Sequence, residues 1–342
     1  MIDSSQTSPA AVMPSDRLRV FALNGTSELG EKVAASLGRK LAAHEERGFE
    51  DGEHKSRPLE TVAGGDVYVV HSLHGGPDES PNDKLCRLLF FIGALKDAGA
   101  ARITAVSPYL CYARKDRRTK ANDPVTLRYL ASLFEAVGTN AIVTLDVHNE
   151  AAFENAFRCP SVALTVAPLL IDKIRSIAGD RPLCIISPDL GGGKRADILR
   201  EALERSLRRP VGKAFVEKHR SAGHVSGDLF AGDVDDAVCV VVDDLISTGG
   251  TLVRAAKAAR ARGARQVLAC VAHGLFMPGA ETALADMAID RIIVTDSVPP
   301  FRLPPGPVLA KLEVISAAPL LAEAIRRLHQ NESLADLLMY QA

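Results

Sequence analysis

No uninterrupted apolar stretch in the 342-residue chain approaches the ~20 residues of a membrane-spanning helix, which excludes a helical span. Met1 to Asp16 lacks the cationic start and apolar core of a signal peptide; polar and proline-containing, it is expected to be a disordered lead. No CxxC pair occurs among the six cysteines, at positions 86, 111, 159, 184, 239 and 270, and several lie in apolar strand-like runs. They read as small buried hydrophobes, and a reducing cytoplasm is the expected setting. A charge imbalance is also missing: the net charge is -1, with 24% charged and 47% hydrophobic residues. That composition disfavours disorder and a broad nucleic-acid surface, so any basic site has to be local, and neither nucleic acid nor membrane is expected as a partner. The length allows two domains of ordinary size, each with its own core.

What is present is concentrated in Val238 to Thr251, VCVVVDDLISTGGT. The apolar run Val238 to Val242 suits a buried parallel strand, and Thr251 to Arg262 has the alanine-rich spacing of a helix. The turn between them therefore sits at the carboxyl end of a strand. There the backbone N–H groups of Ser247, Thr248, Gly249, Gly250 and Thr251 can converge on one anion beside an electropositive helix start. The hydroxyls of Ser247, Thr248 and Thr251 add donors. Asp243 and Asp244 just upstream are poorly suited to neutralise that anion and are expected to face sugar hydroxyls or a sugar-bound metal. A phosphorylated pentose offers both features at that separation. An ordinary strand-to-helix turn with surface aspartates is the alternative, but every position from 243 to 251 fits the one mechanism.

Upstream, Arg17 to Leu23 reads as a strand, followed by a helix capped by Thr26 or Ser27 with Leu29, Val33 and Leu37 on its apolar side. Within the polar segment 44–65, GFEDGE spaces Phe49, Asp51 and Glu53 two apart. In an extended hairpin all three would share a face, placing a ring that can stack on a base beside two acceptors for an exocyclic amine. A solvated turn produces the same letters. Asp66 to His71 is expected as a strand and Asn82 to Ala98 as an amphipathic helix burying Leu85, Leu88, Leu89, Ile92 and Leu95. The strand Arg102 to Val106 leads into SPYLCYARKDRRTKANDPVT, which carries Arg114, Lys115, Arg117, Arg118 and Lys120, with Arg128 just beyond. A loop this cationic after a parallel strand is suited to a polyphosphate, and a solvated charge run is the alternative. A helix over Val125 to Ala136 and a strand over Ala141 to Leu145 then bring Asp146 and His148 to the same sheet edge.

From about Ser161 a second strand-helix alternation is expected. It has a helix over Ala167 to Ile177, a strand over Leu183 to Ile186, and then SPDLGGGKRADIL, where Asp189 precedes three glycines. Lys194 and Arg195 at the helix start oppose the helix dipole, which suggests a bound anion that offsets the penalty. After a strand over Pro210 to Val216, the segment Glu217 to Asp233 lacks an apolar period and reads as a mobile flap with Lys218 and Arg220 at its root. Strands near Gln266 to Val271 and Arg291 to Thr295 and a helix over Ala318 to His329 follow. Repeated strand-helix units imply an α/β chain with two doubly wound parallel sheets.

Val238 to Thr251 resembles the phosphoribosyl-diphosphate binding loop of the phosphoribosyltransferase fold. Over roughly residues 17–335 the chain resembles the ribose-phosphate pyrophosphokinase family, also called phosphoribosyl-diphosphate synthetases. The likeness also rests on FEDGE, NDKLCRLLFFIGALKDAGAARITAVSPYLCYARKDR, TLDVH, SPDLGGGKRA, EKHR and SAAPLLAEAIRRLH. It implies two tandem domains of the phosphoribosyltransferase type, 17–160 on the ATP side and 161–335 carrying the ribose 5-phosphate loop. It also implies diphosphoryl transfer from ATP to the 1-hydroxyl of ribose 5-phosphate with Mg2+. By position, Phe49, Asp51 and Glu53 would bind the adenine of a nucleotide held mainly by a neighbouring subunit of a homo-oligomer, at least a dimer and commonly a hexamer. Arg114, Lys115, Asp116 and His148 would contact that nucleotide, and His148 and Asp189 fall on metal and phosphate positions. Lys218 and Arg220 match a catalytic flap pair, while Asp243, Asp244, Ser247, Thr248, Gly249, Gly250 and Thr251 match the ribose 5-phosphate site.

The pattern is not uniform. Ser247 stands where a third acidic residue is common, Lys115 where glutamine usually follows YAR, and His219 where the flap often has arginine. Thr119 to Thr126 lacks an arginine before Pro124, from which weak regulation by phosphate and ADP is expected. A phosphoribosyltransferase shares the Val238 to Thr251 site but has no need of GFEDGE, the YARKDR loop and a second domain together. A non-catalytic paralogue has no need of Lys218, Arg220 and His148.

Overall fold

The computed structural model describes residues 17–189, 191–221 and 224–338, without the side chains of 217–229. The lead, 1–16, lies outside the described residues. The first half runs β1 (Leu18–Ala22), α1 (Ser27–Ser36), β2 (His44–Gly48), β3 (His54–Pro58), β4 (Asp66–Val70), α2 (Pro81–Asp97), β5 (Arg102–Val106), α3 (Thr126–Ala136), β6 (Ala141–Leu145), α4 (Glu150–Ala156) and β7 (Ser161–Leu164). The second half runs α5 (Ala167–Ala178), β8 (Leu183–Ser187), α6 (Gly193–Leu207), β9 (Gly212–Ser221), β10 (His224–Ala231), β11 (Val238–Ile246), α7 (Gly250–Arg260), β12 (Gln266–Gly274), α8 (Ala280–Leu284), β13 (Arg291–Thr295), α9 (Pro307–Ala310), β14 (Leu312–Ile315) and α10 (Ala318–Gln330).

The first sheet has the order β1-β4-β5-β6-β7 and is parallel throughout. The second, β10-β9-β8-β11-β12-β13-β14, is parallel except for its β9–β10 edge. Both sheets are covered on both faces, which is why their strands read as nearly continuous apolar runs. Along β11, Cys239 and Val241 point into one cluster while Val238, Val240 and Val242 point into another, as the two-residue repeat of a strand requires. Along β4, Val67 and Val69 separate from Tyr68 and Val70 in the same way.

Three features differ from expectation. The halves do not have wholly separate cores: one cluster draws on β1, β4, β8, β11, α1, α5, α6 and α10 together, so the inner faces of both sheets share it. Ser161–Leu164, expected to open the second alternation, instead pairs with β6 and closes the first sheet. The last helix, α10, returns to the first sheet, where His329 Nδ1 donates to Asp66 at 2.7 Å beside the Arg102–Asp66 pair (Nε to Oδ1, 2.7 Å). In each case tertiary packing of an apolar face, which has no local signature, decides the placement.

One local expectation is corrected as well, and another gains its structure. Thr26 occupies the position before α1, yet its hydroxyl makes no capping bond; it accepts from Ser72 N (3.1 Å) and meets His71 Nδ1 (3.2 Å), tying β1 to the end of β4. The described part of 217–233, expected as a mobile flap with Lys218 and Arg220 in an extended arm, lies largely in the antiparallel β9–β10 hairpin, in which Lys218 is in register with Asp228 and Arg220 with Val225. The side chains of Lys218 and Arg220 lie outside the described residues.

Candidate active site

The ends of β5, β6, β8 and β11 meet at one place, because the carboxyl ends of parallel strands in the two sheets face the same crevice. A cavity of about 730 Å3 opens there, lined among others by Asp116, Arg117, His148, Asp189, Arg195, Asp243, Asp244 and Arg254. A second cavity of about 170 Å3 adjoins it, sharing His148, Asp189, Asp243, Asp244 and Thr251 and lined by the whole loop 245–252 and by Arg114.

The floor of the smaller cavity is the β11–α7 turn. Gly249 has φ +79°, and a Cβ there would approach Leu284 of α8 to 2.5 Å, so both the backbone conformation and the space require glycine. The first helical carbonyl to find a partner is that of Gly249, which accepts from Val253 N at 3.0 Å. The amides of Gly250, Thr251 and Leu252 lie in the first turn and have no carbonyl one turn earlier to receive them. That is the arrangement suited to an anion.

Beside the turn stands a partly buried charge cluster. His148 Nδ1 donates to Asp244 Oδ2 at 3.0 Å. Arg195, its side chain 10% exposed, holds Asp146 Oδ1 through Nε at 3.4 Å and lies 3.7 Å from Asp244 Oδ1 and 4.0 Å from Asp243 Oδ1. Asp146 is buried with φ +33°, and its Oδ2 accepts from Val166 N at 2.8 Å. Burial, reinforced by the neighbouring Asp244 charge, pushes the Asp243 carboxyl well above the ordinary range. Burial also acts on Asp244, but the bond from His148 and the Arg195 guanidinium outweigh it and hold that carboxyl well below the ordinary range. The same bond raises the His148 imidazole against the opposing effect of burial. Burial raises the Asp146 carboxyl, opposed by Arg195.

This cluster corrects one inference from sequence. The partners that offset a cation in the first turn of α6 are protein carboxylates: Arg195 faces Asp146, Asp243 and Asp244, and Lys194 Nζ donates to Glu150 at 2.6 Å. Asp189 shapes its own turn, accepting from Gly192 N through Oδ1 at 3.0 Å, while still lining both cavities.

A family model described as the N-terminal domain of ribose phosphate pyrophosphokinase matches residues 18–138, and one described as a phosphoribosyl synthetase-associated domain matches 224–339. The chain is 36% identical to ribose-phosphate pyrophosphokinase 1 of Listeria innocua over 94% of its length and 97% of that protein. It is 36% identical to the ribose-phosphate pyrophosphokinase of Haemophilus ducreyi over 93% of its length and 98% of that protein. The crystal structure of phosphoribosylpyrophosphate synthetase from Mycobacterium smegmatis superposes with a TM-score of 0.80 at 32% identity, covering 92% of this chain and 99% of that one. The chain belongs to the ribose-phosphate pyrophosphokinase family. Its α/β fold, with two parallel sheets of the phosphoribosyltransferase type, is the one shared with that synthetase.

The residues expected of a ribose-phosphate pyrophosphokinase divide into three groups. Arg114, Asp116, His148, Asp189, Asp243, Asp244, Ser247, Thr248, Gly249, Gly250 and Thr251 line the two joined cavities. Asp116 is further held by Asn149 Nδ2, which donates to it at 2.6 Å. Lys115 does not line either cavity; it is exposed, and its backbone donates to Tyr112 O and accepts from Leu127 N. Phe49, Asp51 and Glu53 are also outside both cavities. They occupy the tip of the β2–β3 hairpin rather than its extended arms, because Phe49 N donates to Glu53 O and Gly52, at φ +89°, folds the chain back. The expectation that strand alternation aligns them therefore fails, while the tip remains exposed, with Phe49 under the Arg47 guanidinium at 5.3 Å.

Sequence reasoning missed Asn149, Glu150 and Arg254 as cavity residues and misread Arg195, whereas Arg117, named among the loop cations suited to a polyphosphate, does line the larger cavity. Arg254 was visible only as a polar position on an alanine-rich helix. Among the described residues, no group of three or more His, Cys, Asp or Glu side chains is arranged to hold a metal ion. No described helix is long and apolar enough to cross a membrane.

Proposed function

We propose that the chain moves the diphosphoryl group of ATP to ribose 5-phosphate, giving phosphoribosyl diphosphate and AMP. The 1-hydroxyl oxygen forms a bond to the β-phosphorus, the bond from that phosphorus to the α,β-bridging oxygen breaks, and AMP departs with the bridging oxygen while the hydroxyl proton is released. The observation that carries this reading is the junction of an amide-lined turn with an acidic pair at the mouth of a cavity large enough for a nucleotide. Amides and hydroxyls of 247–251 take the 5-phosphate, and Asp243 and Asp244 accept from the ring hydroxyls, which fixes the sugar's direction. Arg114 and the Asn149-braced Asp116 orient the nucleotide, and Lys218 and Arg220 from β9 neutralise charge on the transferring group. Diphosphoryl transfer gains most from such alignment and neutralisation, because it asks for little covalent help from the protein.

Divalent-metal dependence accompanies this chemistry, and Mg2+ is the ion we assign. His148 and Asp189 would hold it. Mg2+ keeps several waters and relies on substrate phosphates for the rest of its shell, so two protein donors on a cavity wall fit it better than a preformed cage. When bound it supplies charge neutralisation at the phosphate oxygens. The exposed hairpin tip with Phe49, Asp51 and Glu53 fits adenine recognition in a neighbouring subunit, so a homo-oligomer, dimer or hexamer, is part of the proposal. A cytoplasmic setting agrees with the six free cysteines. The test is direct: purified chain with ATP, ribose 5-phosphate and Mg2+ should release AMP and phosphoribosyl diphosphate in equal amounts. Protein that binds both compounds and releases no AMP would overturn the catalytic reading.

A further inference from the structure

The charge cluster contains one group that the proposed reaction leaves unused. Arg195 is the only described arginine within 4.0 Å of either aspartate of the acidic pair, and it reaches them from α6, not from β11. The same guanidinium touches the first sheet twice, through Asp146 Oδ1 at 3.4 Å and the Val147 carbonyl at 3.4 Å. Val147 immediately precedes His148, whose ring closes the loop by donating to Asp244. One buried side chain therefore joins the end of β6 to the end of β11. Asp146, left-handed and accepting from Val166 N, is in turn fixed from behind.

We infer that Arg195 is a positioning residue for the sugar: it turns Asp243 and Asp244 toward the pentose hydroxyls and sets the distance between them and the His148 segment. Two adjacent carboxylates repel; among the described residues His148 holds only Asp244, and Asp243 Oδ1 accepts only the neighbouring Asp244 amide at 2.9 Å, so Arg195 is the cation that draws both toward the β6 end. A planar fork that spans three carboxylates does so, whereas a lysine ammonium can reach fewer of them at once. This inference rests on the proposed ribose 5-phosphate site.

The experiment measures ribose 5-phosphate binding by calorimetry, together with KM for each substrate, in the full chain. In Arg195→Met the dissociation constant and KM for ribose 5-phosphate should rise about tenfold or more, the size of a lost charged hydrogen bond, while KM for ATP moves less than about threefold. Arg195→Lys should recover part of the loss. Arg102→Met removes a comparably placed arginine that lines neither cavity, and should lower stability while leaving ribose 5-phosphate affinity unchanged. If Arg195→Met does not fold, Arg195→Lys decides: affinity equal to that of the parent overturns the inference. So does an equal loss for both substrates, or an equal loss of sugar affinity in Arg102→Met. Failure of the parent chain to bind ribose 5-phosphate would instead strike the functional reading beneath it.

Discussion

Two partly buried charge clusters in this molecule use nearly the same parts at opposite ends of their strands. At the amino ends of β4 and β5, Asp66 meets Arg102, with His329 and Tyr68 completing its shell, and Arg102 also donates to the Leu328 carbonyl at 3.0 Å. At the carboxyl ends of β6 and β11, Arg195 and His148 meet Asp146, Asp243 and Asp244. The first cluster pairs one carboxylate with one guanidinium and is closed. The second has three carboxylates for one guanidinium and opens onto a cavity. The first spends its charges on docking α10; the second keeps an excess that sugar hydroxyls and a divalent ion can satisfy. Balance marks a joint, and imbalance beside a cavity marks a site.

The comparison can be broken at several points. The largest expected effect comes from the pair proposed to neutralise the transferring group: Lys218→Ala or Arg220→Ala should lower turnover about 100-fold or more with little change in ribose 5-phosphate affinity, the size expected when transition-state charge loses a partner. Parent-like turnover in the Lys218 variant would remove it from the reaction. Next, Asp244→Ala should weaken ribose 5-phosphate binding about 10- to 100-fold while touching ATP less, as charged hydrogen bonds to the sugar are lost. Calorimetry with each compound separates the two.

In the closed cluster the effect should fall on stability alone. Asp66→Asn should cost about 2 kcal/mol by denaturant unfolding, because a buried carboxylate gives up its charged hydrogen bonds to a part-exposed guanidinium and to His329, with sugar affinity unchanged. A loss of affinity there would mean that the two clusters are not independent.

The open cluster should also make the substrate-free chain lose stability with rising pH. Burial and the neighbouring Asp244 charge raise the Asp243 carboxyl above its ordinary 3.8, so the folded state holds that proton more tightly. Its contribution is full below 3.8 and is lost as pH climbs through the raised value. His148, raised above 6.5, acts in the same direction at the upper end. Asp244, lowered, matters only in acid, where its contribution is lost as pH falls. Thermal melts across pH 5 to 8 should show the decline, and Asp243→Asn should flatten it; an unchanged slope in that variant assigns the decline elsewhere. The smallest effect concerns regulation: with Thr119 to Thr126 lacking an arginine before Pro124, phosphate should activate weakly and ADP should inhibit only by competing with ATP. Strong phosphate activation would refute this.

Much of this was legible in the residues. β5, β6 and β13 run where their apolar, β-branched segments place them, and Val238 to Thr251 holds strand, acidic pair, turn and helix start within one short stretch. What escaped depends on contacts between distant residues. β14 is four residues long and half-exposed, with no apolar run to announce it. Residues 217–233 pair as a hairpin although their composition is small and polar, because β8 offers β9 an edge to extend. Arg195 looked like half of an anion site since its carboxylates lie 48 residues or more away in sequence, where no local spacing rule reaches.

The account turns on where the pentose phosphate sits. A crystal structure of the chain with ribose 5-phosphate and a non-hydrolysable ATP analogue should place the 5-phosphate against the amides of 247–251, the ring hydroxyls on Asp243 and Asp244, and the triphosphate across the larger cavity toward Arg114. A sugar phosphate bound elsewhere, or seated there with its hydroxyls turned from the acidic pair, would contradict it.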